Sequence, residues 1–347
     1  MKINKELIYF LKKMKKNNKI LITGITGFVG SHMADFLLNL NKNYKIYGLK
    51  RWHLSKLNHI NHILDKIELY DCDITDPIGT TNMLEDLKPN IIFHCAAESF
   101  VSPSWNHPHR YMSVNYNGTL NLLEALRRMN SKCFFHIPGS GEEYGEIYLN
   151  ELPINEETVL RPVNPYAVSK VAQDLIGYVY HKSYNLNVIR TRAFNHEGPR
   201  RENVFGIPWY AYQIARIENN MQEPVVKVGH IDDKRNFTHV LDMVEAYYLS
   251  IFHCKPGELY LIGNESKKSI FTFRQALKKL IEMSTVKNIS YKQDKKFIRP
   301  TNVPRLIGDM SKFKKVSDWE PKISFEQILL DTLEYWRNRI KKEKINI

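Results

Sequence analysis

The stretch at residues 19–38, KILITGITGFVGSHMADFLL, restricts the fold more than any other part of the chain. A short apolar run predicts a strand, glycines spaced three residues apart follow it, and a helical pattern begins at the third glycine. Such glycines permit a tight turn and the close approach of a diphosphate to a helix N-terminus, where N–H groups attract anions. A purely structural turn is the alternative, but the strand before and the helix after favour dinucleotide binding. The predicted contacts of this turn are Gly24, Thr26, Gly27, Phe28, Val29 and Gly30.

Short apolar runs alternate with helical patterns through the first two-thirds of the chain, which predicts parallel strands connected by helices. The predicted strands lie at residues 19–23, 45–49, 67–70, 90–94, 132–137 and 187–191. The fold class is therefore α/β, with a Rossmann-type doubly wound parallel sheet and a smaller, interleaved C-terminal substrate lobe. We expect a basic N-terminal extension at 1–18, a dinucleotide-binding domain at 19–195 that also receives 238–262, and a second, substrate-binding lobe at 196–347.

Charge and cysteine content limit the partners of the chain. A net charge of +13 fits nucleic acid or an anionic small molecule, but the lysines are spread out and no nucleic-acid motif occurs. We therefore expect a phosphorylated small molecule and no nucleic acid. Four scattered cysteines without a CxxC pair argue against a metal site and fit a reducing cytoplasm. Residues 1–18 predict a short amphipathic surface helix without stable membrane association.

The end of the second predicted strand indicates which nicotinamide cofactor the chain prefers. NAD-binding proteins tend to place an acidic residue there for the ribose, whereas NADP-binding proteins place a basic residue near the 2′-phosphate. This chain has Lys50 and Arg51 and no acid, so we predict NADP through Arg51, with NAD as the alternative cofactor. A solvated pair of charges is the competing interpretation. Asp73 and Ile74 are expected to flank the adenine, and Ala96 is a further predicted cofactor contact.

Two short motifs carry the residue types that a sugar oxidation requires. In NPYAVSK, Tyr166 and Lys170 are four residues apart and share one face of a helix. A lysine ammonium favours the phenolate of a nearby tyrosine, which can then accept a proton from a sugar hydroxyl. In GSGEEYG, an extended segment would direct Ser140 and Glu142 to one side and Glu143 to the other. We predict that Ser140 contacts the same hydroxyl as Tyr166, that Glu142 is an acid/base, and that Glu143 is solvated unless a loop conformation reverses the two glutamates.

Seven stretches, running in order from about residue 19 to residue 336, form a pattern together. They are LITGITGFVGSHMADFLL, NYNGTLNLLEALR, GSGEEYG, NPYAVSK, FNHEGPRR, DDKRNFTHVLDMVEAY and RPTNVPRLIGDMSKFKK. With them the chain resembles an extended short-chain dehydrogenase/reductase and, within that superfamily, the GDP-mannose 4,6-dehydratase group. The resemblance implies that Tyr166, supported by Lys170 and Ser140, takes the proton of the sugar C4 hydroxyl while hydride passes to the nicotinamide. Glu142 would then remove the C5 proton and assist loss of the C6 hydroxyl as water, and hydride would return to C6.

The function that the resemblance implies is a nucleotide-sugar 4,6-dehydratase acting on a GDP-hexose without net redox. Glu142 is the discriminating residue, because an epimerase of this fold needs no acid/base there. An NAD(P)-dependent epimerase or reductase and a non-catalytic nucleotide-binding protein are the alternatives. The sugar stays open between mannose, N-acetylglucosamine and a heptose, since Pro208 and Trp209 replace a usual Arg–Lys pair and Gly141 stands where the family often has serine.

The resemblance also implies contacts with the nucleotide sugar and with a second copy of the chain. Asn195 falls where the family contacts the substrate phosphates, and arginines are suited to clamp a diphosphate because guanidinium groups pair well with phosphate oxygens. We expect a homodimer or homotetramer in which helices at 114–129 and 166–184 pair across a two-fold axis. The predicted substrate contacts are Ser99, Asn115, Asn195, Arg201, Arg235 and Arg299.

Overall fold

The computed structural model describes residues 18–40 and 42–345, and the amphipathic helix predicted at the N-terminus lies outside the described residues. Its strands are β1 (Asn18–Thr23), β2 (Tyr44–Lys50), β3 (Glu68–Asp71), β4 (Ile91–His94), β5 (Phe134–Ser140), β6 (Asn187–Ala193), β7 (His196–Glu197), β8 (Val225–Val228), β9 (Lys234–Asn236), β10 (Thr238–His239), β11 (Leu259–Ile262), β12 (Ile270–Thr272), β13 (Ser290–Gln293) and β14 (Arg305–Leu306). Seven of them form a parallel sheet in the order β11-β6-β5-β4-β1-β2-β3, which confirms the predicted Rossmann-type α/β fold.

Helices cover both faces of this sheet. They are α1 (Phe28–Asn39), α2 (Pro77–Leu87), α3 (Pro108–Tyr111), α4 (Gly118–Arg128), α5 (Pro165–Tyr184), α6 (Gly206–Glu218), α7 (Val240–His253), α8 (Phe273–Glu282), α9 (Ser311–Ser317) and α10 (Phe325–Ile345). A π-helical segment (Met112–Asn117) joins α3 to α4, so the helix predicted at 114–129 is the second part of a longer one.

Side chains along β1 alternate between the two faces of the sheet, and each face is covered by its own layer of helices. Ile20 and Ile22 are fully buried on the face that α1 and α7 cover, whereas Leu21 is fully buried on the face that α2, α4 and α5 cover. Successive side chains of a strand point to opposite faces, so a strand buried on both faces reads as a continuous apolar run. Such runs are what the sequence shows at residues 20–22 and 91–93.

A second apolar core lies in the C-terminal part of the chain. Helices α6, α8 and α10 pack together there around Ile214, Leu280, Leu329 and Trp336, all of them buried. Two small sheets accompany this core, β8 with β13 and β9 with β12 and β14. β11 returns from this region to the edge of the central sheet beside β6.

The carboxyl ends of the seven parallel strands lie along one edge of the sheet, so the loops after β1, β2, β4, β5 and β6 meet at this carboxyl edge. In open α/β sheets this edge binds ligands. Among the residues that the structure describes, no helix has the length and apolar character to cross a bilayer. Within the same residues, no group of three His, Cys, Asp or Glu side chains is arranged to hold a metal ion.

Candidate active site

The glycine-rich turn between β1 and α1 is shaped for the close approach of another group. Gly24 has a φ of +67°, and a Cβ on it would lie 2.7 Å from the Ala96 nitrogen. A Cβ on Gly30 would lie 2.3 Å from the Gly24 carbonyl oxygen, so the start of α1 packs directly on the turn. Gly27 at the N-cap offers no side chain to the first N–H groups of α1, which leaves them suited to an anion. These features fit the diphosphate of a dinucleotide.

The two basic residues at the end of β2 have different surroundings. Lys50 pairs with Asp71, whereas the charge of Arg51 acts on Asp73. Burial raises the pKa of Asp73, but hydrogen bonds from the Thr75 N–H and hydroxyl, at 2.9 and 2.8 Å, and the charge of Arg51 bring it below its ordinary value. Of the two cations, Arg51 is therefore the better suited to a 2′-phosphate.

Other predicted cofactor residues line the same edge of the sheet. The Ala96 N–H donates to Thr23 Oγ1 at 3.1 Å, which holds the loop after β4 against the glycine-rich turn. The Thr26 carbonyl lies 3.2 Å from His59 Nδ1. Ile74 is only 6% exposed and packs in the apolar core. Contact of these residues, and of Phe28 and Val29, with a cofactor stays a prediction.

Helix α5 starts with a strong cap and carries Tyr166 and Lys170 in its first two turns. The Asn164 side chain accepts the Ala167 N–H at 2.7 Å, and Pro165 occupies the first helical position. Both features stabilise a helix start because they satisfy or remove N–H groups that the helix itself cannot bond. The cap therefore determines the direction in which Tyr166 and Lys170 point.

The Ser140 side chain lies close to the Tyr166 hydroxyl. Tyr166 is 8% exposed, and burial raises its pKa well above the ordinary value. The nearby Ser140 side chain and the charge of Arg201 lower the pKa, while the charges of Glu142 and Glu143 raise it. The two residues predicted to contact one sugar hydroxyl thus lie together.

Lys170 is buried in the same region, with 4% of its surface exposed. Its Nζ donates to the Pro138 carbonyl at 2.6 Å and to the Gln173 side chain. Burial lowers the pKa of Lys170, and the negative charges of Glu143 and Asp174 oppose this effect. The ammonium therefore depends on nearby carboxylates to keep its proton.

The segment after β5 forms a 3-10 helix (Gly141–Tyr144) and is not extended, which changes the prediction for its two glutamates. Ser140 caps this helix through its Oγ, which accepts the Glu142 N–H at 3.2 Å. Glu142 stays half-buried, and Asn164 Nδ2 donates to its Oε2 at 3.4 Å. Glu143 reaches back to accept the Ser140 N–H at 2.6 Å and is completely buried, so the prediction that it is solvated was wrong. The reason is a capping box, in which the glutamate turns toward the cap residue.

Two arginines of the C-terminal part lie near each other, and Arg235 is also near Glu142. Arg235 on β9 is 4% exposed, donates to the Lys234 carbonyl at 2.9 Å, and lies 3.8 Å from Asp233 Oδ2. Burial lowers the pKa of Arg235, the charges of Glu142 and Asp233 raise it, and Arg299 lowers it again. Two neighbouring guanidinium groups suit the binding of a diphosphate.

Arg201 lies between aromatic rings. Its guanidinium carbon is 4.2 Å from the Phe205 ring centre and 5.5 Å from that of Phe28, and its Nε is 3.4 Å from Glu197 Oε2. Burial raises the pKa of Glu197 to about 7, and the charge of Arg201 opposes this. Because Arg201 already has a partner, its contact with substrate phosphates stays a prediction.

The remaining predicted substrate residues differ in how free their side chains are. Ser99 is exposed on the loop after β4, and Asn195 is half-buried directly after β6. Asn115 is fully buried, and its carboxamide bonds the Glu98 N–H at 2.8 Å, the Glu98 carbonyl at 3.1 Å and the Ser169 hydroxyl at 2.9 Å. It thereby holds the loop that carries Ser99, and its direct contact with substrate stays a prediction.

Three residues of the site were missed at the level of sequence, although signals for them existed. Asn164 before a proline is a typical helix start, and it also reaches Glu142. Arg192 lies in the strand NVIRTRA between runs of apolar residues, and an arginine buried in a central strand requires an acidic partner. That partner is Asp174, whose Oδ2 accepts a hydrogen bond from Arg192 Nη2 at 2.6 Å.

Comparison with known proteins identifies sequence relatives over almost the whole chain. Residues 21–332 match the family described as GDP-mannose 4,6 dehydratase. The chain is 30% identical over 345 residues to GDP-mannose 4,6 dehydratase 1 of Arabidopsis thaliana, covering 96% of this chain and 93% of the relative. It is 29% identical over 325 residues to GDP-6-deoxy-D-mannose reductase of Pseudomonas aeruginosa, covering 94% and 99%. Among solved structures, RMD from Pseudomonas aeruginosa in complex with NADPH superposes with a TM-score of 0.80 at 28% identity, covering 93% of this chain and 99% of that one.

Proposed function

The chain belongs to the GDP-mannose 4,6-dehydratase family, and we propose on that premise that it is an NADP-dependent GDP-sugar 4,6-dehydratase. In this reaction a GDP-hexose loses water across C5 and C6 and becomes a 4-keto-6-deoxy sugar. The enzyme is a hydro-lyase because water is lost, and there is no net redox because the hydride removed from C4 is returned to C6. The family and the geometry of the site support this assignment together.

The observation that carries the proposal is the position of Glu142 beside the Tyr166 hydroxyl and Asn164. Its charge acts on both Tyr166 and Arg235, so it faces the space between the catalytic helix and the C-terminal cations. A carboxylate there is chemically required for proton removal at C5 but not for oxidation at C4 alone. Glu142 therefore supports the dehydratase over an epimerase.

Residues of the chain carry out the proton transfers that lead to the loss of water. Tyr166, which lies close to Ser140 and one turn before Lys170 on α5, accepts the proton of the C4 hydroxyl. The C4 ketone then acidifies the C5 hydrogen, which Glu142 removes. Glu142 returns that proton to the C6 hydroxyl, which leaves as water, and C5 takes up a solvent proton when hydride returns to C6. When bound, NADP supplies a nicotinamide that takes up the hydride and gives it back.

The C-terminal lobe, residues 196–347, is proposed to hold the nucleotide sugar, with Arg235 and Arg299 on the diphosphate. The charges of Arg299 and Glu142 both act on Arg235, which supports a diphosphate bound at Arg235 and Arg299 with the acid/base nearby. GDP-mannose, GDP-N-acetylglucosamine and a GDP-heptose are the candidate substrates. A cytoplasmic location belongs to the proposal and is supported by the four cysteines, which are all free thiols.

The proposal is tested by incubating the NADP-loaded protein with each candidate sugar in D₂O and measuring product mass. Loss of one water from one GDP-sugar, with one solvent deuterium at C5, is the expected result. An unchanged mass for every sugar would remove the dehydratase assignment. The Pseudomonas aeruginosa relative makes a reductase the second candidate, which the same assay separates because a reductase consumes NADPH in proportion to product.

Arg51 is expected to select NADP over NAD. Replacing Arg51 by alanine should weaken NADP binding about 10- to 100-fold, the value of a charged hydrogen bond, and leave NAD binding within about 3-fold. Isothermal titration with both cofactors measures the two affinities. Lys56→Ala, an exposed change in the same loop, is the control and should alter neither. Equal losses of affinity for NADP and NAD would show that Arg51 does not bind the 2′-phosphate.

We further propose a homodimer formed through α5. Val168, Leu175 and Val179 are 46, 45 and 45% exposed and share one face of this helix, which is unusual for an unpartnered surface. The double variant Val168→Glu/Leu175→Glu should raise the dimer dissociation constant at least about 100-fold. Light scattering after gel filtration measures the mass. Val159→Glu, equally exposed but away from α5, should stay dimeric, and a wild-type protein that is monomeric at micromolar concentration would contradict the proposal.

A further inference from the structure

A cluster of five charged side chains lies beneath the candidate active site. We call it the buried charge cluster, and each member is at most 6% exposed as a whole residue. Three members are cations and two are anions, from three different elements of the fold. The members are Glu143, Lys170, Asp174, Arg190 and Arg192.

Glu143 joins the catalytic loop to this cluster. One carboxylate oxygen, Oε1, accepts the Ser140 N–H at 2.6 Å, and the other, Oε2, lies 2.8 Å from Arg192 Nε as an ion pair without an aligned hydrogen bond. Arg192 Nη2 donates to Asp174 Oδ2 at 2.6 Å, and Arg190 Nε donates to Asp174 Oδ1 at 2.6 Å. The carboxylate of Glu143 is thus fixed from two sides.

The Lys170 amine has neutral partners within hydrogen-bond distance, the Pro138 carbonyl and the Gln173 amide. Its positive charge therefore relies on the two anions of the cluster, of which Glu143 contributes more than Asp174. Asp174 already binds two arginines. Removing the Glu143 charge would leave three buried cations with one anion, and a lysine is the member that can release a proton.

We propose that Glu143 is a positioning residue of the active site, which fixes the Ser140 backbone and supplies one of the two negative charges of the buried charge cluster that contains Lys170. The Glu143 charge itself raises the pKa of Tyr166, so its support for the phenolate acts through the Lys170 ammonium alone. Glu143 contacts neither sugar nor cofactor in this role. The expected effect of Glu143 on catalysis rests on the proposed function, whereas its expected effect on the pKa of Lys170 does not.

The direct test is a pH titration of Lys170 in protein labelled with ¹³C at the lysine Cε, with the signal assigned by its loss in Lys170→Met. In Glu143→Gln the pKa of Lys170 should fall by roughly one unit or more relative to wild type, the usual effect of a nearby charge. This readout requires no sugar. Other groups that face Lys170 stay in place in both proteins: Asp174 and Gln173 on α5, Cys95 and His94 at the end of β4, and His136 on β5.

Steady-state kinetics add the catalytic consequence. Glu143→Gln should lower kcat roughly 10- to 100-fold, leave the KM of the GDP-sugar within about 3-fold, and move the alkaline limb of the kcat profile to lower pH. Glu143→Asp keeps the charge and should restore the alkaline limb. Glu146→Gln, an exposed change three residues later, is the control and should change none of these values.

The outcomes separate the two proposals. A wild-type protein that dehydrates no sugar removes the proposed function, while the lysine titration still reports on Glu143. An unchanged Lys170 titration in folded Glu143→Gln overturns the inference, whatever the activity of the wild type. If Glu143→Gln does not fold, Glu143→Gln/Arg192→Gln is compared with Arg192→Gln, because neither protein contains an unpaired buried Arg192 and the two differ only in the Glu143 charge. The pKa of Lys170 should then be lower in the double variant than in Arg192→Gln.

Discussion

Glu142→Gln is expected to stop water loss while leaving oxidation at C4 intact. Glutamine keeps the size of the side chain and the bond from Asn164 but cannot take up the C5 proton. Formation of the 4-keto-6-deoxy product should fall about 10²- to 10⁴-fold, the usual loss when a general acid/base is removed. After rapid mixing with substrate, reduced cofactor should still form and then persist, because the step that consumes it is blocked.

Two measurements in one experiment decide this prediction. Nicotinamide absorbance follows the reduced cofactor, and mass spectrometry in D₂O follows solvent deuterium at C5, which should be absent from the sugar in Glu142→Gln. Glu146→Gln controls for the loss of a carboxylate from the same loop. Product formation in Glu142→Gln at the rate of wild type would assign the acid/base role to another residue.

Tyr166→Phe is expected to block the reaction one step earlier. Phenylalanine keeps the packing of the ring against Tyr111, whose centre is 6.3 Å away, but it removes the oxygen that accepts the C4 proton. Both the reduced cofactor and the product should fall about 10²- to 10⁴-fold. Substrate affinity should change little, since one hydrogen bond to a neutral hydroxyl contributes about 0.5–1.5 kcal/mol.

The contrast between the two variants is the informative result. Glu142→Gln should accumulate reduced cofactor and Tyr166→Phe should not, although both lack product. Tyr178→Phe is the matched control, because it removes a hydroxyl from an exposed position of the same helix. Reduced cofactor appearing at wild-type rate in Tyr166→Phe would mean that a different group accepts the C4 proton.

The parts of the site that depend on local sequence were predictable. Strand, glycine turn and helix follow each other within residues 18–39, and each step has a local cause in apolar pattern or backbone freedom. The spacing of Tyr166 and Lys170 specifies one helical face, and both residues are buried on α5. Local patterns suffice here because a parallel sheet brings the carboxyl ends of its strands together, and the residues that follow these strands therefore lie close to one another.

The position of Glu143 follows from a capping box and not from the alternation of side chains along an extended segment. Alternation along an extended segment predicts Glu143 outside, but Ser140 with Glu143 three residues later is also the pattern of a capping box. The capping box prevails because it satisfies the Ser140 N–H, and Arg192 supplies the charge that makes burial of the glutamate tolerable. The arginines of β6, a strand of the central sheet, were the signal that buried acidic partners lie nearby.

The positions of Arg235 near Glu142 and of Arg299 near Arg235 could not be derived from local sequence. These residues lie far from Glu142 along the chain, and their position depends on how the C-terminal core packs against the sheet. Arg235 is on a short strand that pairs with β12 and β14, both of which follow the last strand of the central sheet. Only the resemblance to a family singled them out, and their contact with substrate awaits the experiments above.

The return of β11 to the edge of the sheet has a consequence for how the protein is made. β11 pairs with β6, from Leu259 beside Arg190 to Ile262 beside Ala193, yet the chain builds much of the second core between them. On a ribosome that adds about 5–20 residues per second, the edge of β6 waits roughly 3 to 13 seconds for its neighbour. During that interval the nascent chain presents an unpaired parallel edge of the kind that joins other chains. Productive synthesis therefore depends on keeping that edge apart from other nascent chains until residue 262 has left the ribosome.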